Sequence, residues 1–353
     1  MRAFDFQGSS TKILFGEGSR RRVVEAVTAL GCKRALVLST PQQADDAQAI
    51  ASLLAERAAG LFTGATMHTP VEVTEHALAA MRENDADCTV AFGGGSTTGL
   101  GKAIAYRLDT PQIVIPTTYA GSEVTPILGQ TQAGRKETVR APSILPEVVI
   151  YDPELTLGLP VAMTMTSGLN AMAHAAEALY ARDRNPISSL MAAEGLRALA
   201  EALPRIAKQP RDIAARSRAL YGAWLCGSVL GTVGMSLHHK LCHVLGGSFN
   251  LPHAETHAIV LPHAIAFNAA AAAEELRPLS AIFGAEAPGA ALHAFALEIG
   301  APTALKDIGL REEDLDRAAD IATANPYWTP REVTRANIRT LLAAAWRGDA
   351  PTS

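Results

Sequence analysis

The chain has 353 residues, enough for two or three domains, and its 48% hydrophobic and 19% charged residues are a normal globular balance. A formal net charge of -4 weighs against a general nucleic-acid role, since phosphate binding needs a basic surface, and leaves room for a local basic pocket around an anionic substrate. No apolar run reaches the roughly 20 residues of a membrane helix, the first residues show no basic-then-apolar secretory pattern, and Cys32, Cys88, Cys226 and Cys242 are scattered, which together predict a cytoplasmic protein with reduced, buried thiols.

In chain order, Arg34-Ala35-Leu36-Val37-Leu38-Ser39 reads as a buried strand, and Ala44 to Ala58 and Val73 to Asn84 read as helices. Cys88-Thr89-Val90-Ala91-Phe92 is a second strand, running straight into Gly93. Gln112 to Pro116 and Glu147 to Tyr151 are two more. Short apolar runs without alternation suit a parallel sheet covered on both faces. Their alternation with helices predicts a doubly wound α/β fold. The character changes near Asp152-Pro153. From about Thr164 the chain is rich in Ala, Leu and Met, and the stretches from the 190s to Leu203 and from Asn268 to Leu276 favour helix, the Ala269 to Ala273 run included. The expected organisation is a nucleotide-binding α/β domain over residues 1–158 and an all-helical catalytic domain over 159–353, with no solenoid repeat.

Two loops of the first half have the make-up of a nucleotide site. Gly93-Gly94-Gly95-Ser96-Thr97-Thr98-Gly99-Leu100-Gly101-Lys102 follows a strand and opens a helix. Glycines let backbone approach an anion, and a helix start aims free N–H groups at it. The cluster is neither G-x-G-x-x-G nor a Walker A sequence. Pro116-Thr117-Thr118-Tyr119-Ala120-Gly121-Ser122-Glu123-Val124-Thr125 follows the next strand and is expected to line the same crevice. The cofactor candidates are Gly93, Gly94, Gly95, Ser96, Thr97, Lys102, Thr117, Thr118, Tyr119 and Ser39.

The second half carries histidines. Six of ten fall between residues 238 and 263. Asn170 and His174 are four apart, as are His239 and His243, and such pairs share one face of a helix. His253 follows after Gly246-Gly247 and Pro252. Stacked imidazoles can share a metal or a substrate. His238, His257 and His263 read as structural.

These motifs, in this order and over nearly the whole chain, resemble the iron-containing alcohol dehydrogenase family and, within it, the subgroup of maleylacetate reductases. The matching segments are Gly93 to Lys102, Pro116 to Thr125, Pro146 to Pro160, Ser167 to Tyr180, His239 to Pro262 and Asn325-Pro326. The resemblance implies a nucleotide-binding α/β domain, a helical domain and an active site in the cleft between them. In metal-dependent members an Asp at the place of Asn170, with histidines matching His174, His239 and His253, holds iron or zinc; the histidine matching His243 lies near the nicotinamide. Here the carboxylate is an amide, a much poorer partner for a divalent cation. Gly99 stands where the usual family loop has Asp, and the segment around Tyr119 is one residue shorter. The subgroup shares all three departures.

The activity so implied is reduction of the C=C bond of maleylacetate, a small dicarboxylate enone, to 3-oxoadipate during aromatic ring degradation, with NADH or NADPH and no metal. Hydride adds β to the ketone, an enolate develops, and the α carbon takes a proton. Imidazoles can supply the N–H donors and the proton. The expected split has His253 and His243 as donors, with His174 and His239 shaping the pocket beside Asn170. Lys240 is either a partner for a substrate carboxylate or a solvated helix lysine. Tyr119 either contacts substrate or packs under the cofactor, and Arg135, Lys136, Arg140 and Arg331 are further, unranked cations. Ser39-Thr40 lacks the acidic residue that selects NADH, so both cofactors are expected. A homodimer is expected from the resemblance alone. The rival readings are a metal-dependent alcohol or polyol dehydrogenase and a catalytically silent nucleotide-binding protein.

Overall fold

The computed structural model describes residues 3–132 and 135–352; the side chains of Arg135 and Lys136 lie outside the described residues. The chain divides into two compact units. One is Gln7–Leu159; the other is Pro160–Ser353 together with the first residues up to Phe6.

The first unit is built on strands β1 (Lys12–Phe15), β2 (Ala35–Leu38), β3 (Ala58–Phe62), β4 (Cys88–Gly93), β5 (Gln112–Pro116), β6 (Ile127–Gln132), β7 (Arg135–Arg140) and β8 (Val148–Tyr151). Helices α1 (Val23–Ala29), α2 (Ala44–Leu54), α3 (Val71–Glu83) and α4 (Gly95–Leu108) join them. The main sheet runs in the order β1-β8-β5-β4-β2-β3, with every pairing parallel, and β6–β7 form a separate antiparallel hairpin. Alternate side chains serve alternate faces. Ala35, Val37, Val90, Phe92, Ile113 and Ile115 join Val23, Val27, Ile50 and Leu54 of α1 and α2 in one core. On the opposite face α4 comes so close that a Cβ at Gly101 would sit 3.3 Å from Ala91 and 3.9 Å from Leu38. With both faces covered, the strands read as unbroken apolar runs.

The order fixes where a ligand fits. From β2 the chain steps outward to β3, while from β4 it steps the other way to β5. The carboxyl ends of β2 and β4 therefore flank a switch point, the usual ligand crevice of an open parallel sheet. Ser39 and Gly93 stand at those two ends.

The second unit is helical: α5 (Val161–Tyr180), α6 (Pro186–Lys208), α7 (Ile213–Thr232), α8 (Leu237–Phe249), α9 (His253–Asn268), α10 (Ala273–Phe283), α11 (Pro288–Glu298), α12 (Leu315–Ala324) and α13 (Arg335–Arg347). Reciprocal capping boxes, Asn185 with Ser188 and Thr334 with Asn337, start α6 and α13. From Gly168 to Tyr180 every residue of α5 is buried, packed among α6, α7, α9 and α10. Its small residues allow this close approach. Among the described residues no single helix is long and apolar enough to cross a membrane. All four cysteines are free and buried.

Some elements differ from the expectation. The helix expected to reach Ala58 stops at Leu54, and residues 58–62 form β3; Gly60 and two alanines hide a strand whose pairing with β2 decides its state. The Ala269 to Ala273 run is a turn through residue 272, not helix. Asn268 ends α9: its Oδ1 accepts from Thr329 and from the Arg331 N–H, anchoring a distant segment, so tertiary bonding overrides alanine's propensity.

The contact of α11 with α9, the helix that carries His253, depends on Gly289. A Cβ there would meet Ala266 Cβ at 2.5 Å, the Pro262 carbonyl at 2.7 Å and the Ala266 nitrogen at 2.8 Å. Backbone cannot yield as a flexible side chain can. Gly289→Ala is expected to destabilise the fold by about 1–3 kcal/mol, although Ala favours helix over Gly by about 1 kcal/mol. Equal or higher stability in urea unfolding would refute this packing.

Candidate active site

Three helices of the second unit bring a set of polar side chains together. Asn170, His174 and Glu177 lie on one face of α5, at four- and three-residue spacing. His238, His239 and His243 come from α8, and His253 and His257 from the start of α9. Ring centroids of His174 and His239 are 5.2 Å apart, those of His239 and His257 5.2 Å, of His253 and His257 4.2 Å, and of His239 and His243 6.2 Å. The four histidines expected to act together do cluster. His257, read from sequence as structural, sits at their centre, and neither of its ring nitrogens has a hydrogen-bond partner. His238 does bond internally, its Nε2 to the His257 carbonyl at 3.0 Å. His263 lies apart, against His293.

The cluster is graded in exposure. His174, His238, His239 and His257 are buried, whereas His243 and His253 are exposed. Burial, reinforced by neighbouring imidazoles, holds His174, His239 and His257 well below the ordinary histidine range and pushes His238 down to about 4. The deep members are therefore neutral at pH 7. Beside His243, the Tyr327 hydroxyl lies 3.1 Å from Nδ1, and Lys240 Nζ lies 5.5 Å over the Tyr327 ring. Burial raises the Tyr327 phenol above its ordinary range, with Glu177 adding to it. Arg331, one of the unranked cations, bonds the Phe267 carbonyl at 3.2 Å and stacks on that ring.

Glu177 escapes a reading by histidine spacing. It is fully buried, and Oε2 lies 2.7 Å from His239 Nδ1. The available signal is an acidic residue three after His174 in an otherwise apolar, alanine-rich helix. Tyr327 gives a fainter one, an aromatic pair just after Asn325-Pro326.

The donor set differs from the carboxylate-containing one that the resemblance implies for iron. His174 Nδ1 and His239 Nε2 are unpaired, but position 170 offers an amide, and the carboxylate in contact, Glu177, is committed to His239 and to backbone N–H groups. Imidazoles suit iron or zinc, and ring nitrogens of His238, His239 and His257 lie within 4.8 Å of one another; what the set lacks is an uncommitted carboxylate.

In the first unit, Gly93 has φ +147°, and a Cβ would come within 2.6 Å of Thr97 Oγ1, so only glycine fits. Helix α4 starts at Gly95 without a side-chain cap, leaving its first N–H groups for a ligand. Gly95 is exposed, and a Cβ there would meet nothing within 4 Å. Gly94, Ser96 and Thr118 are half-buried, and Thr117 Oγ1 accepts from Gln43 Nε2 at 3.1 Å. At Gly99 a Cβ would lie 2.3 Å from Thr69 Oγ1, so the space of the missing Asp is filled. Side-chain burial corrects several cofactor candidates. Lys102 is buried, and its Nζ donates to the carbonyls of Ser122, Thr125 and Ile127 and to Thr125 Oγ1 at 2.5–2.9 Å, tying the next loop to α4 instead of facing a phosphate. Burial pushes its ammonium down to about 7, opposed by Glu123. Tyr119, like Ser39 and Thr97, has no exposed surface and packs in the core, so none of these three side chains is open to a ligand in this structure.

The neutral imidazoles make stability depend on pH. In the unfolded chain they titrate near about 6.5, so below that the unfolded state binds more protons and stability falls as pH falls. The melting temperature is expected to be highest above pH 7 and to drop between about 6.5 and 4, the value near which His238 itself protonates. A melting temperature constant from pH 7.5 to 5 would contradict the burial of neutral imidazoles.

Known proteins bear out the motif reading. Residues 10–153 match the family model described as iron-containing alcohol dehydrogenase, and residues 164–346 match that of the C-terminal part of the Fe-containing alcohol dehydrogenase family. A maleylacetate reductase of Rhizobium sp. (strain MTP-10005) is 62% identical over 99% of this chain and 100% of its own, and one of Burkholderia cepacia is 52% identical over the full length of both. The crystal structure of a maleylacetate reductase from Agrobacterium tumefaciens superposes with a TM-score of 0.97 at 63% identity, covering 99% of this chain and 100% of that one. With both units matched and whole-length relatives of this kind, the chain belongs to the iron-containing alcohol dehydrogenase family, in the branch of its maleylacetate reductases.

Proposed function

We propose that this protein reduces the C=C bond of maleylacetate to give 3-oxoadipate, with NADH or NADPH as hydride donor and without a metal ion, in the degradation of aromatic compounds. One observation carries the mechanism: exposed His243 and His253 stand against a buried set of neutral imidazoles, with Lys240 and Tyr327 alongside.

The nucleotide is assigned to the switch point of the α/β unit. The uncapped start of α4 would hold the pyrophosphate with backbone N–H groups and the helix dipole. No acidic side chain follows β2, since Ser39 and Thr40 occupy those places, so a 2′-phosphate is not repelled and both cofactors are accepted.

In the reduction a hydride, carrying two electrons, adds to the carbon β to the ketone. The C=C π electrons move toward the ketone and charge develops on its oxygen. An imidazole N–H of His253 donates to that oxygen. Collapse of the enolate takes a proton onto the α carbon from His243, and the exposed ring is re-protonated from solvent. The proton donor is the imidazolium form of His243: its Nδ1–H donates to the Tyr327 hydroxyl 3.1 Å away, Nε2 gives up the proton, and a neutral imidazole is left. Lys240 pairs a substrate carboxylate. His174 and His239 close the pocket without charge, next to Asn170.

We also propose a homodimer and a cytoplasmic location, the first on family resemblance and the second supported by four free cysteines.

The deciding assay follows NADH and NADPH oxidation with maleylacetate, beside simple alcohols with NAD. Turnover of maleylacetate is expected, undiminished after dialysis against a chelator; stoichiometric iron or zinc that activity requires would defeat the metal-free reading in favour of an alcohol dehydrogenase. His243→Ala and His253→Ala are each expected to lower kcat by about 100-fold or more, and a variant with full turnover loses its assigned role. Lys240→Met is expected to raise KM for maleylacetate by roughly tenfold with little change in kcat, and an unchanged KM would return Lys240 to a solvated helix lysine.

A further inference from the structure

We propose that Glu177 is a positioning residue: it fixes His239 in the tautomer with the proton on Nδ1, so that a bare Nε2 lone pair faces the cluster, and it holds the first turn of α8, which presents Lys240 and His243. This rests on the reductase reading only for its kinetic consequence.

The hydrogen bonds assign the proton. His238 Nε2 faces the His257 carbonyl at 3.0 Å, and a carbonyl can only accept, so Nε2 carries the hydrogen. In a neutral imidazole His238 Nδ1 is then a bare lone pair. It lies 3.3 Å from His239 Nδ1. The other neighbour of His239 Nδ1 is Glu177 Oε2 at 2.7 Å. Two acceptors converge on one nitrogen, and a hydrogen on His239 Nδ1 satisfies both. The opposite arrangement, a protonated Glu177 donating to Nδ1, would set two lone pairs against each other at 3.3 Å. His239 Nε2 is left bare, and it is the buried atom of that ring with no partner.

The carboxylate also caps a helix from outside. Oε1 accepts from the His238 N–H at 2.7 Å, and Oε2 accepts from the Ser236 N–H at 2.8 Å. These donors belong to the start of α8, whose own N-cap, Ser236, makes no side-chain cap. The Ser236 hydroxyl is spent elsewhere, donating to the Trp328 carbonyl at 2.8 Å. That bond holds the segment bearing Tyr327. An anion at a helix N-terminus is favoured by the dipole. One buried carboxylate therefore orients His239, seats the helix of Lys240 and His243, and through Ser236 steadies the partner of His243.

An amide cannot do this. Glu177→Gln puts an NH₂ where an acceptor is needed. If it faces His239, that ring must turn its lone pair to Nδ1 and its hydrogen to Nε2, reversing the polarity His239 shows to the cluster. A tautomer error of this kind leaves the fold in place and lowers turnover.

The test uses the full-length protein with ¹⁵N-labelled histidine. Nitrogen-15 spectra report which ring nitrogen is protonated, and His239→Gln identifies the signal. The wild type is expected to show His239 protonated on Nδ1; protonation on Nε2 overturns the proposal without any Glu177 variant having to fold. Glu177→Gln, checked for folding by circular dichroism, is expected to shift the signal to the Nε2–H form and to lower kcat by roughly 10- to 100-fold, with the NADH dissociation constant within about twofold of wild type. A folded Glu177→Gln with wild-type kcat, or with the His239 signal unmoved, overturns it. If wild-type protein fails to reduce maleylacetate, the reductase reading falls, and the spectra still decide the role of Glu177.

Discussion

Burying imidazoles among alanine-rich helices constrains everything around them. Each deep ring must be neutral, because a charge would be desolvated at a cost of several kcal/mol. A neutral ring has one donor and one acceptor nitrogen, so its neighbours must match. The His257 carbonyl sets the tautomer of His238, and His238 and Glu177 together set that of His239. The small residues of α5 let these groups approach so closely, and Gly289 performs the same service between α9 and α11. In the proposed mechanism the charge-changing steps fall to His243 and His253, which are exposed.

Much of the α/β unit is legible in the sequence because its physics is local. Buried parallel strands read as apolar runs, and the stretches at 34–39, 88–92, 112–116 and 147–151 fall on β2, β4, β5 and β8 to within a residue. Strand β3 is not legible: Ala58-Ala59-Gly60 has no β preference, and only pairing with β2 makes it a strand. The alanine run after Asn268 fails for the converse reason, since a strong local preference gives way to hydrogen bonds from residues some sixty positions away.

The site divides along the same line. Four-residue spacing finds His174, His239 and His243 because helix geometry alone places them, and family motifs add His253. His257 belongs to the centre of the cluster, and its four-residue spacing from His253 on α9 is a legible signal that the structural reading of it passed over. Lys102 shows the limit of motif logic. A lysine in a glycine-rich loop invites a phosphate, yet this one lies a turn and more into α4, too deep to do anything but bind carbonyls.

That engagement of Lys102 has an electrostatic consequence. With its ammonium locked onto internal carbonyls, the loop from Gly93 to Gly101 holds no free side-chain cation. In the proposed mode of nucleotide binding, attraction then comes from fixed backbone dipoles at close range, not from mobile charges across a Debye length. Dissolved salt has little there to screen. Nucleotide occupancy should follow the cell's supply of reduced cofactor far more closely than its ionic strength.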